Sequence, residues 1–346
     1  MRLRPYRQLI TAVAVLTLVV LAGMLVHPAY VVLRAGPAYN TLGELGGEKI
    51  LQIKGATTYP TEGELTFTTV AVYGGPGREL TLWDYLVARA QPGSDIRPRA
   101  EYYPQDATRD QIDQQNQVQM ATSQQEAVAI ALRAAGHEVP EKVTVGQVTP
   151  GGPSDGRLKA GDVVVSVNGT PITRSDTLRG TISASAEGAT VHLVVTRDGR
   201  QVPVQVGTTL SQGRRVIGVL LGTSFTFPFE VTIHATDVGG PSAGLMFALG
   251  VYDEITPGSL TGGQDIAGTG TIADDGSVGP IGGIEHKMVG ARASGAAWFL
   301  APADNCSEVP GRAPDGLRVV KVDTFDVAQH AVEEIAAGRG AALPTC

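Results

Sequence analysis

Residues 239–295 read GGPSAGLMFALGVYDEITPGSLTGGQDIAGTGTIADDGSVGPIGGIEHKMVGARASG, and their pattern decides the fold of the C-terminal part of the chain. A glycine-rich loop gives way at Pro241 to a nearly continuous apolar run, which predicts a buried helix over 241–255. Proline suits that first turn because the N–H it lacks would have no helical partner there. A loop over 256–263 precedes a β-like stretch at 264–272, and Asp274-Asp275-Gly276 is a turn. A second helix is predicted over 284–294. Working outward, a strand at 229–235 comes before this block, and strands at 297–301 and 317–322 and a helix at 324–337 follow it. Strands alternating with helices predict an α/β domain over 225–338, with 339–346 as a tail.

Two residues of this block carry chemistry. Ser242 stands among small neighbours at the predicted helix start, where unpaired N–H groups, those of Ser242 and Gly240 foremost, can face an oxyanion. Lys287 shares one helical face with Ile284 and Ala291, so its amine points toward the interior. Desolvation favours the neutral amine, and a neutral amine can take the proton of a serine hydroxyl. Each residue alone also has a plain reading, the serine as a helix cap and the lysine with its stem packed and its head in water.

Taken together, the two motifs resemble the proteolytic domain of Lon proteases. GPSAG, LTG at 260–262, GTGTI at 268–272 and PIGGI at 280–284 with Lys287 occur in the family's order, over roughly 229–309. The resemblance implies that Ser242 is the nucleophile, that Lys287 is its dyad base, and that Thr269 helps orient the lysine. It also implies a homo-oligomer, as a ring of six. Some Lon enzymes carry an acidic residue where this chain has Gly239, and Asp237 is near enough to substitute. Asp237 also completes a nominal His234, Asp237, Ser242 triad, in which His234 reads better as a surface or neighbouring-strand residue than as the base. His286 is expected to be solvated. No lysine follows a glycine, so there is no Walker-A phosphate loop and no ATP is expected. No His/Cys/Asp/Glu spacing predicts a metal site, and no cofactor is implied.

Upstream, LKAGDVVVSVNGTPI at 158–172 and VVTRDG at 194–199 surround Asn168-Gly169, a strong hairpin signal. These stretches resemble a bacterial PDZ domain covering 126–208, which implies capture of an extended peptide, often a C-terminus, as an added strand. Residues 35–125 read as a β-rich segment and linker, with β-like stretches at 48–54, 64–73 and 79–82 and no evident chemistry. An amphipathic helix at 124–135 ends at Gly136.

The chain has 346 residues, 27 basic and 34 acidic, with a net charge of −7. That balance argues against nucleic acid as a partner, and the apolar content is too high for a disordered chain and too low for a polytopic membrane protein. Only six of the basic residues are lysines. Arg2, Arg4 and Arg7 precede an uncharged stretch over 8–33, densest at 9–26. This predicts a single-pass anchor within 1–34, with the N-terminus cytoplasmic and the remainder outside the cell membrane. A cleaved signal peptide starts the same way, but no A-x-A site follows and no cysteine is placed for lipidation. Cys306 and Cys346 would then lie in an oxidising compartment, where they can pair with each other, stay two thiols, or let Cys346 pair with another chain. The sequence therefore predicts a multidomain α+β protein: transmembrane helix, β-rich segment, PDZ-like β-domain and Lon-type α/β proteolytic domain. The function it implies is an ATP-independent serine endopeptidase acting on unstructured or exposed envelope segments. A non-catalytic PDZ adaptor and a self-processing peptidase are the rivals.

Overall fold

The computed structural model describes residues 4–346 apart from 105, 187, 212, 236 and 237. Its helices are α1 (Arg4–Leu25), α2 (Leu82–Ala90), α3 (Arg109–Ala134), α4 (Ser175–Ser183), α5 (Gly244–Ile255), α6 (Ile284–Ala293) and α7 (Phe325–Ala336). The main strands before the C-terminal domain are β1 (Tyr30–Asn40), β2 (Leu51–Lys54), β3 (Glu64–Tyr73), β4 (Asp95–Pro98), β5 (Glu141–Val148), β6 (Val163–Val167), β7 (Thr190–Arg197), β8 (Arg200–Gly207) and β9 (Val219–Phe225). Those within it are β10 (Glu230–Ile233), β11 (Asp265–Gly268), β12 (Thr271–Ile272), β13 (Val278–Gly279), β14 (Trp298–Pro302) and β15 (Arg318–Val322).

The larger sheet runs β15-β14-β11-β3-β1-β4. Strands β3, β11, β14 and β15 are parallel neighbours, and β1 and β4 extend the sheet antiparallel. Side chains along the parallel strands alternate between two cores, as the pleat demands. Ile266, Leu300 and Val320 face α3, α5 and α7 in one core, while Ala267, Phe299 and Val319 face Ile284, Met288 and Ala291 of α6 in the other. Helix α5 is buried almost all round, which its unbroken apolar run required, and Phe247 meets Phe67 of β3 edge-on at 5.2 Å.

The stretch after the N-terminal helix, read from sequence as a β-rich segment and linker without evident chemistry, is built into this sheet. It supplies β1, β3 and β4 to the larger sheet, and β2 pairs with β10. In β3, Leu65, Thr66, Phe67 and Thr68 are all buried, the mark of a strand covered on both faces. Residues 79–82 are not a strand: Thr81 caps α2 in a reciprocal box with Asp84. The Gln- and Asp-rich run before residue 124 is helical, because Thr108 and Gln111 cap α3 in the same way. The stretch predicted as one strand over 264–272 is broken at Thr269-Gly270 into β11 and β12.

The second sheet runs β8-β7-β6-β5-β9 around Val143, Val164, Leu178 and Leu193. Asn168 and Gly169 have φ of 49° and 81°, the left-handed pair a type I′ hairpin needs. β9 lies beyond residue 208, the expected end of this module, and closes the sheet by pairing with β5. Asp274, on the loop between β12 and β13, joins the two units. Its carboxylate accepts from Ser175 Oγ and, at 2.9 Å, from Arg179 of α4, and its carbonyl accepts from Arg133 at 3.1 Å. Cys306 and Cys346 form a disulfide that holds the C-terminus beside the sheet. The apolar helix Tyr6–Leu25 is long enough to cross a membrane, as an anchor or as a signal sequence.

Candidate active site

Ser242 lies in the turn just before α5 rather than in its first turn, since α5 begins at Gly244. Three hydrogen bonds hold that turn. Ser123 Oγ of α3 donates to Pro241 O at 2.9 Å, and the carbonyl of Ser242 accepts both Thr269 Oγ1 and Gly270 N–H, each at 2.9 Å. Gly244 is required for this closeness: a Cβ there would stand 2.6 Å from Ser123 Oγ and 2.9 Å from Ile272 Cγ2.

Lys287 enters from the opposite face of the sheet on α6. The helix starts at Gly283, whose φ of 68° and closeness to Val70 exclude an ordinary side chain. The lysine is only 3% exposed. Its Nζ donates to Thr68 O at 2.6 Å and lies 3.1 Å from Ser242 Oγ. Burial disfavours the ammonium and brings its pKa down to about 8.

The two groups open into a cleft of about 530 Å³, walled on one side by Pro37, Thr69 and Ala71 and on the other by Gly239, Thr271 and Ile281. β11 pairs with β3 only as far as Phe67. From Thr68 onward β3 therefore has no strand on that side among the described residues, and its backbone edge faces the cleft.

Ser242, Lys287 and Thr269 are thus brought together, but Thr269 grips the serine carbonyl and not the lysine amine. Gly240 N–H donates to Asn116 O at 3.3 Å, so this proposed oxyanion donor is engaged by α3. Asp237 lies outside the described residues. His234 Nδ1 is 4.0 Å from Glu48 on the β2–β10 side and does not line the cleft.

The expectation of a solvated His286 is corrected: it is 6% exposed, because the β1–β4 edge covers that side of α6. Its Nε2 lies 3.6 Å from Glu285, and with Asp95 these residues bring metal-ligand-type atoms within 4.8 Å, a grouping invisible in sequence spacing. Arg97 pairs with Asp95 at 2.8 Å and Arg312 with Glu285, so both carboxylates are neutralised by arginines. Sequence reasoning missed Thr68, Ser123 and Asn116. Thr68 and Asn116 act through backbone carbonyls, for which no side-chain signal exists.

Two family models match the chain, one after the other. Residues 114–208 match the model of the PDZ domain, and residues 226–334 match that of the Lon protease (S16) C-terminal proteolytic domain. The Lon protease of Azospirillum brasilense is 35% identical over 111 residues, which are 30% of this chain and 14% of that protein. The mitochondrial Lon protease homolog of Drosophila melanogaster is 37% identical over 95 residues, 27% of this chain and 9% of that one. The chain thus spans a small fraction of the length of the curated relatives it matches. The PDZ domain of the SdrC-like protein from Listeria monocytogenes overlays with 23% identity and a TM-score of 0.22, covering 23% of this chain and 85% of that one. The chain accordingly carries a PDZ domain and a Lon-type (S16) serine-protease domain.

Proposed function

We propose that the protein is an ATP-independent serine endopeptidase whose nucleophile is Ser242 and whose base is Lys287. The observation that carries this is the 3.1 Å contact between Ser242 Oγ and a buried lysine amine. In the proposed reaction the neutral amine accepts the hydroxyl proton as Oγ adds to the peptide carbonyl. The tetrahedral intermediate collapses, the lysine ammonium returns the proton to the leaving amine, and a serine ester remains. Water activated by the same amine then releases the acid and free Ser242. Thr68 O holds Nζ in line, and Thr269 and Gly270 fix the serine backbone. Ser242 N–H serves the oxyanion, and Gly240 contributes once its contact with Asn116 lengthens.

The open edge of β3 at 69–71 supports binding of the substrate as an extended strand, which suits unstructured or exposed segments. The PDZ module would deliver such segments. A cavity of about 530 Å³ lies between α4 and β9, lined by Gly180, Ile182, Val219 and Leu221, and β9 is an edge strand that can accept one more. By analogy with Lon domains the chain assembles as a homo-oligomer, a hexamer. We further propose that α1 is a retained anchor, with the N-terminus cytoplasmic and the catalytic domain outside. Its side chains are almost all exposed, as lipid contact requires.

The test compares wild type, Ser242→Ala and Lys287→Met on an unfolded protein substrate and with a serine-reactive fluorophosphonate. Wild type should cleave and label, and each variant should lose at least about 1,000-fold in kcat/KM. Equal cleavage by all three would sink the dyad. Absence of cleavage by wild type, with peptide still bound, would favour an adaptor.

A further inference from the structure

We propose that α2 lies in the interfacial layer of the bilayer that α1 crosses, so that the catalytic domain is clamped to the membrane surface. This rests on the anchor reading of α1 given above. Helix α2 is apolar on two sides. Inward, Ala88 packs with Val32 and Leu80. Outward, Trp83, Leu86, Val87 and Ala90 follow i, i+3, i+4, i+7 spacing, and Leu86 and Val87 are 44% and 61% exposed. A helix resting on a water-soluble domain ordinarily turns charged side chains outward at those positions.

The contacts of Trp83 identify what covers this stripe. Its indole N–H donates to Val20 O at 3.0 Å, and a Cβ on Gly23 would stand 2.3 Å from Trp83 Nε1. Leu82 N–H donates to Val26 O at 2.9 Å, so α2 is fastened along the last turns of α1. The apolar span Tyr6–Leu25 has 20 residues. At about 1.5 Å per residue it covers about 30 Å, the full thickness of a hydrocarbon core, with no slack. Raising Val20 into water would leave only about 21 Å of apolar helix. Val20 and Gly23 therefore stay in the apolar layer, and Trp83 sits with them where a ring with one polar atom is best accommodated. Leu86 and Val87, on the same stripe, are immersed beside it.

The clamp limits where substrate can come from. β1 begins at Tyr30, at the membrane end, and Pro37 on the cleft wall is seven residues along it. At about 3.3 Å per residue the cleft lies no more than about 25 Å from the start of the strand. Chain segments just emerging from the bilayer are thus within reach.

The experiment uses the full chain carrying Trp298→Phe, which leaves Trp83 as its tryptophan, reconstituted in vesicles whose acyl chains are brominated near the headgroups or deep in the core. Expected are blue-shifted emission and quenching of about half or more by shallow bromine, exceeding that by deep bromine. Leu86→Gln with Val87→Gln, both at exposed positions, should reduce the quenching at least about twofold while the chain still resists carbonate extraction. Carbonate resistance with unquenched Trp83, or quenching that appears only when copies of the chain associate, would overturn the clamp and leave the anchor standing. Release by carbonate, or an N-terminus trimmed past residue 25, would overturn both.

Discussion

The titration of Lys287 gives the sharpest test of the dyad. With its pKa near 8, the amine is neutral in about 1% of molecules at pH 6, about 10% at pH 7 and about 90% at pH 9. If the neutral amine is the base, kcat/KM should rise about tenfold per unit below pH 8 and level off above about pH 9. An undisturbed lysine would still be gaining activity past pH 10, and at pH 7 it would hold about 300-fold less free amine. The assay follows a fluorogenic unfolded substrate from pH 6 to 10 with the full chain in vesicles, using Ser242→Ala as the blank at each pH. A flat profile would refute the reasoning, and so would an inflection near 10, which would mean that burial does not tune the amine.

The same burial has a stability cost. The folded pKa lies below that of the unfolded chain, so the unfolded state binds more protons between about pH 8 and 10.5 and stability rises with pH across that window, the penalty being complete below it. At pH 7 that penalty is about 3 kcal/mol, and Lys287→Met removes it while losing a bond to Thr68 O worth about 1 kcal/mol. The inactive variant should therefore unfold at a temperature several degrees higher, and a lower one would contradict this account. Thr269→Val should lower kcat about tenfold or more with little change in KM, and Thr269→Ser should restore most of it, because the hydroxyl holds the serine backbone and touches no substrate. Asp274→Ala leaves Ser175 and Arg179 without their partner and should cost about 2 kcal/mol. Faster hydrogen exchange in α4 would report the loosened module. Glu126, pushed up to about 7 by burial and then by Asp274, should titrate at lower pH in that variant, as carboxyl-resolved NMR would read.

How far the sequence carried depended on whether a role rests on a side chain. Ser242 and Lys287 were singled out because GPSAG and PIGGI with Lys287 stand in the Lon order and the helical phase of the lysine turns its amine inward, and the structure brings the two within 3.1 Å. The carbonyl of Thr68 receives the lysine equally closely, yet any residue has one, and only the pairing of β3 with β11 brings it there. His286 was misread because helical phase alone turns it away from α6's main core, and the β1–β4 edge that covers it is a tertiary fact. Asn168-Gly169 and Asp198-Gly199 were legible as turns because their φ values are demanded locally.

The order of strands bears on what the catalytic unit is. The match to Lon proteolytic domains begins at residue 226, but three of the sheet's six strands, β1, β3 and β4, precede the PDZ module in the chain. Cutting at 226 would remove β1, β3 and β4 together, leave the β11 edge bare, expose the α5 face that Leu65 and Phe67 cover, and remove the carbonyl that seats Lys287. It would also remove α3, whose Ser123 and Asn116 brace the serine turn. The PDZ module is therefore an insertion within the catalytic fold and not a domain hung in front of it. Its entry is α3, the helix whose Ser123 and Asn116 also brace the turn that carries Ser242, and its exit is β9, which leads into β10.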